Sequence, residues 1–141
     1  MKLWFVYALL SAICAAFVSI FGKVGLDGVD STAATAIRAV IMAIFLLIVT
    51  IVHGNMTAMP TVFSHPKGLL FIALSGIAGA SSWLFYFLAL KTGNVSQVAP
   101  IDKLSVVFSV VLAILLFGEK VSFFHGVAIC LIAIGGLILA F

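Results

Sequence analysis

Charge is what this chain has least of. Of its 141 residues, 8% are Asp, Glu, Lys or Arg, seven cations against four acids, for a formal net charge of +3. An average soluble domain carries roughly a quarter charged residues, so there is too little polar surface here to face water. A sizeable soluble domain is excluded. The few cations form no basic stripe, which also excludes nucleic-acid binding of the usual electrostatic kind. Cysteine is scarce as well. Cys14 and Cys130 both lie within apolar runs and read as small apolar residues, with no disulfide implied. His53, His65 and His125 lack ligand spacing such as i, i+4, so no metal site is expected. The sequence shows no Gly-rich phosphate loop, nucleophile–base constellation or haem-binding pair. Neither a cofactor nor an enzyme is therefore expected.

What the chain has is apolar length: 65% of its residues are hydrophobic and 12% aromatic, with a mean hydropathy of +1.43. A transmembrane helix needs about 20 mostly apolar residues. Five such runs read off the sequence, over about 3–21, 32–52, 68–90, 97–117 and 123–141. Each boundary pairs a polar or Gly/Asn turn with a Lys or His suited to the headgroups. Unpaired backbone groups are costly in hydrocarbon, so the runs are expected to be helices. A stretch such as 71–77, Phe-Ile-Ala-Leu-Ser-Gly-Ile, shows no period-2 pattern that would favour a strand. The expected fold is an all-α integral membrane protein of five spans in a single transmembrane domain.

Lys2 and the apolar run ending near Ala12–Ala16 also look like a signal peptide. No polar mature domain follows Ser19, Gly22 and Lys23, so the run is expected to stay as the first span. Bulky Ile13 before Cys14 speaks against a lipoprotein cysteine. The longest loop, from Gly54 to Lys67, is too short for a domain and is expected to lie along the membrane interface.

An odd number of spans puts the termini on opposite sides. The N-terminal side carries Lys2, Lys67 and Lys120. The other carries Lys23 and Lys91 in loops, with Arg38 and Lys103 a little way inside helices. The positive-inside rule decides nothing between them. Either another signal orients the chain, or copies insert both ways and pair antiparallel. The second is the expectation.

Ionisable groups inside spans are costly and suggest function. Arg38 lies about six residues into the second span and Asp102 about five into the fourth, and both spans start on the same side. At 1.5 Å per residue each charge sits roughly 8–9 Å below that surface, so an ion pair between them is feasible. Such a pair could serve transport or only lock two helices together. Adjacent helical positions point about 100° apart, so Lys103 is expected to turn away from Asp102 and snorkel. Asp102, Ser105 and Ser109 share one helical face, as do Ser75, Gly79, Ser82 and Tyr86 on the third span. Ser11, Ala15, Ser19 and Gly22 do so on the first. These stripes could leave a narrow wet cleft, or they could be close packing through small residues. Tyr86 fits an interfacial aromatic belt, whereas Trp83 lies about two turns in and is a candidate for stacking on a substrate. Pro100 removes a backbone donor just ahead of Asp102. Broken helices of that kind recur at transporter sites, although a Pro in a first helical turn is also simply tolerated.

Across Ser81-Ser-Trp83-Leu-Phe-Tyr86-Phe-Leu-Ala89-Leu90, then Val98-Ala-Pro100-Ile-Asp102-Lys103-Leu-Ser105, then Gly118-Glu119, the chain resembles the EamA family of the drug/metabolite transporter superfamily. The resemblance runs over essentially all five spans, Arg38 and Gly135-Gly136 included. It implies the five-helix bacterial and archaeal class, one repeat unit of the ten-helix members that are built from two inverted halves. It also implies carriage of a small metabolite across the cytoplasmic membrane by alternating access, and an antiparallel homodimer. The first span has no acid, so the proton-for-cation exchange of the small multidrug resistance proteins does not carry over. Arg38, Asp102 and Lys103 together supply one net positive charge, which favours an anionic or zwitterionic substrate such as an amino or organic acid. Two other readings are a flippase-like subunit for a lipid headgroup and a non-transporting membrane subunit. The fifth span offers Gly126, Cys130, Ala133, Gly136 and Ala140 as a close-approach face for a partner helix, with no soluble tail expected after Phe141.

Overall fold

The computed structural model describes residues 3–140. Lys2, counted above on the N-terminal side, and Phe141, the expected end of the fifth span, lie outside the described residues. Among the described residues every regular element is helical. Five stretches are long and apolar enough to cross a membrane: Leu3–Gly25, Ser31–Val52, Pro66–Thr92, Val95–Phe117 and Phe123–Ala140. The elements are α1 (Leu3–Gly25), α2 (Ser31–Val52), a 3-10 turn (Asn55–Ala58), α3 (Met59–Phe63), α4 (Pro66–Thr92), α5 (Val95–Asp102), α6 (Ser105–Phe117) and α7 (Phe123–Ala140). The chain folds as two compact units, residues 25–91 in one and 1–24 with 92–141 in the other.

The unit of residues 25–91 is built on α2 and α4. Asp30 starts α2, its Oδ1 accepting the Ala33 N–H at 2.8 Å, which satisfies one orphan amide of the first turn. Pro66 opens α4 at a position where its missing N–H costs nothing, two residues earlier than the polar boundary suggests. The far end of α4 returns beside the start of α2, where the Lys91 ammonium donates to the Val29 carbonyl at 3.0 Å. That bond puts the Arg38 end of α2 and the Trp83 end of α4 at one level. The 54–67 loop is itself partly helical, with Met56 and Phe63 exposed. Apolar side chains set outward on a short helical segment suit the headgroup boundary.

The other unit joins α1 to α5, α6 and α7. Helix α1 runs past Gly22 to Gly25, further than its Gly-Lys boundary suggests. A single glycine lowers helix propensity by only about 1 kcal/mol, and Lys23 and Val24 carry the helix on beyond it. Lys23 then caps the α4–α5 connection by donating to the Gly93 carbonyl at 2.8 Å. Helix α6 ends on Gly118 at φ +65°, the left-handed conformation that glycine adopts without a Cβ clash.

The fourth span is not one straight helix. Pro100 has no amide hydrogen, and α5 stops two residues later. Across the break, Leu104 bonds Ile101, Val106 bonds Lys103 and Val107 bonds Leu104, all i→i−3 at 2.9–3.0 Å. These are tight 3-10 bonds, and the Asp102 carbonyl and Ser105 amide take no part in them. The kink seats α5 on α7: a Cβ at Gly136 would stand 3.1 Å from the Pro100 carbonyl oxygen and 3.5 Å from a Leu104 methyl. Gln97 holds the same two helices by donating to the Ala140 carbonyl at 3.3 Å. Gly136, expected to face a partner copy, is therefore used inside the chain.

Candidate functional site

Within the α2–α4 unit the expected site residues converge on one aromatic corner. Trp83, Tyr86, Phe87 and Leu90 follow at i, i+3, i+4 and i+7, the spacing of a single helix face. Tyr86, Phe87 and Leu90 are buried and Trp83 half-buried. Trp83 meets Tyr86 edge-on with centroids 5.6 Å apart, and Phe87 edge-on at 6.0 Å. These are the offsets that aromatic quadrupoles favour, and two buried neighbours hold the indole in one orientation.

Arg38 lies on that indole. Its guanidinium carbon stands 3.6 Å from the Trp83 ring centroid and 5.3 Å from that of Phe87. At 3.6 Å the planar group must lie nearly flat on the ring, because a steep tilt would drive a nitrogen inside van der Waals contact. The contact is a cation–π stack, worth about 2 kcal/mol when desolvated. The acids of this unit are Asp27 and Asp30, both ahead of α2. Among the described residues of the unit, no hydrogen bond or ion pair engages the guanidinium. Arg38 is half-buried, so part of its edge is open. Trp83 was expected to be a candidate for stacking on a substrate; Arg38 covers one of its faces. Phe87 is the site residue that sequence reasoning missed, although its i+4 spacing from Trp83 was visible.

The second cluster surrounds the helix break. The Lys103 ammonium reaches the Asp102 carboxylate at 3.3 Å, where a straight helix would have turned it away. The span changes geometry at this point, and the long Lys stem curls back over the break. In a 3-10 turn, positions i and i+3 stand one above the other, so Asp102 and Ser105 keep a common face and Ser109 follows one α-turn on. Ser105 and Ser109 are exposed, as is Ser82 on α4. Ser19 is buried, and its hydroxyl donates to the Ala15 carbonyl at 3.1 Å.

A separate groove of about 470 Å³, lined by Ala58, Thr61, Val62, His65, Gly68 and Ile72, lies at the start of α4. It is well removed along that helix from Trp83, its lining is mostly apolar and its only titratable side chain is His65. It is not the site that the charges mark.

Nearly the whole chain, residues 2–141, matches the EamA-like transporter family. The chain belongs to the EamA family. This EamA protein is accordingly a multi-pass membrane transporter, which points away from an enzyme. It is 39% identical over 137 residues, 97% of its own length and 96% of the relative's, to a Sinorhizobium sp protein named as an uncharacterized transporter in the cobO 3' region. No solved structure matches.

Proposed function

We propose that this EamA protein is a secondary transporter that moves a small metabolite, an amino or organic acid, across the cytoplasmic membrane by alternating access. The observation that carries this reading is Arg38, a guanidinium seven residues into an apolar span, stacked on Trp83 and half-open. Ionisable groups at that depth are costly and mark substrate pathways. Ser82, Trp83 and Tyr86 would line the pathway on α4, with Pro100, Asp102, Lys103, Ser105 and Ser109 lining it around the broken span. A helix interrupted at a polar level, with backbone groups left out of the ladder, is what transporters use at their binding sites.

The working unit in this reading is an antiparallel homodimer with both orientations inserted. It rests on the even distribution of loop lysines and on the half-size of the chain relative to ten-helix members. Since Gly136 is occupied by α5, the dimer contact falls to other faces. The test is uptake of labelled amino and organic acids into vesicles holding the purified protein. Two lysines added to the 91–94 loop should force one orientation and abolish uptake, two added to the 54–67 loop should force the other, and co-expression should restore it. Single-cysteine labelling from each side reads the orientation. Full uptake from a uniformly oriented population would remove the antiparallel unit, and no uptake of any acid would remove transport of this class.

A further inference from the structure

We infer that Arg38 binds the carboxylate of the substrate directly and that Trp83 is the positioning residue that holds the guanidinium flat for it. This deepens the transport reading above and rests on it for the word substrate. Three observations lead here. The indole is packed by two buried rings, Tyr86 and Phe87, each nearly perpendicular to it, at 86° and 87°. The guanidinium lies on the face of that ring at 3.6 Å. A flat guanidinium keeps all five N–H groups in its own plane, pointing away from the ring edge rather than into the ring. Stacking therefore offsets the cost of placing the cation in the span while leaving its hydrogen-bonding fork unspent.

A fork presented in this way suits one class of partner. Two parallel N–H groups match the two oxygens of a carboxylate. A cationic molecule meets repulsion from Arg38 and finds one face of Trp83 taken. No acid occurs anywhere from residue 31 to residue 101, so nothing along α2, α3 or α4 offers the fork an internal carboxylate. A lysine would keep the charge and lose the plane, both on the ring and toward the ligand. Specificity then rests on the carboxylate itself, and the corresponding amide is refused.

Arg38 is the sole arginine of the chain, so phenylglyoxal labels one guanidinium and intact mass counts it. The experiment uses the full chain in detergent with acetate, succinate, phenylacetate and L-leucine, each against its own amide. At least one acid should slow labelling by on the order of tenfold while its amide does not. Trp83→Leu should abolish that protection and Trp83→Phe should restore part of it, with circular dichroism showing both variants still folded. In a Trp4→Phe background the protecting acid should shift the Trp83 fluorescence, and Arg38→Lys should remove the shift. The inference is overturned if no acid protects better than its amide, or if Arg38→Lys binds the acid as the native chain does. Protection by an acid that is never taken up into vesicles would sink the transport reading and leave the clamp standing. Uptake of an acid that never protects Arg38 would do the reverse.

Discussion

The two units each hold charge within an apolar span, and they manage it in opposite ways. In residues 25–91, Arg38 is held by rings, and no acid of its unit engages it. In the other unit, Asp102 is held by the next residue, Lys103, at 3.3 Å beside a helix break. The first arrangement leaves a whole positive charge and its donors available. The second cancels its own charge, and its side chains stay partly open, 58% for Lys103 and 36% for Asp102. An aromatic platform thus keeps a cation usable where a neighbouring counter-charge would consume it. The expectation follows that function depends more steeply on the Arg38 cluster than on the Asp102 cluster.

That contrast can be broken by single changes. The largest effect should come from Arg38→Gln, which removes the charge and its fork. A hydrogen bond to a charged group is worth about 1.5–3 kcal/mol, so uptake should fall on the order of 10- to 100-fold with little loss of stability. If Arg38→Gln transports normally, the two clusters do not differ in the way described.

Next in size is Gly136→Val, aimed at how the second cluster is built. Its Cβ would press on the Pro100 carbonyl, a backbone atom that cannot swing aside. Overpacking of this kind costs about 1–3 kcal/mol, which should appear as a lowered thermal midpoint in detergent. Gly136→Ala should be milder. An unchanged midpoint for Val would mean that α5 and α7 are not held at that contact.

A double-mutant cycle sharpens the comparison further. Arg38→Ala and Asp102→Ala should lose less uptake together than the sum of their single losses. Residues that serve one substrate couple by about 0.5–3 kcal/mol. Strictly additive losses would separate the two clusters functionally. The smallest effect should be Lys103→Gln, since an exposed ion pair contributes about 0.2–1 kcal/mol. A change in melting beyond that range would mean that the pair holds the break together.

Much of this was legible before any fold was seen. Arg38, Trp83, Asp102 and Lys103 stand out in the chain because a charge or an indole deep in an apolar run is costly or unusual. Their partners were less legible. Periodicity shows that Trp83, Tyr86 and Phe87 share a face, but not that Arg38 from another helix lies over it. A straight-helix reading put Lys103 away from Asp102, because the 3-10 bonds after Pro100 depend on how α5 seats against α7. The small-residue face of α7 looked free for a partner for the same reason: which helix fills a stripe of small residues is a matter of packing.

Composition alone determined that this chain lives in a membrane, because 8% charged residues cannot cover a water-facing surface. Apolar run lengths determined five spans, since hydrocarbon accepts only backbone that bonds to itself, and those bonds are local to each helix. Only the tertiary structure decided that Arg38 rests on Trp83, that Gly136 receives Pro100 and that Lys23 and Lys91 close helix ends. Those contacts join residues far apart in the chain, and van der Waals fit between helices has no counterpart in a one-dimensional pattern.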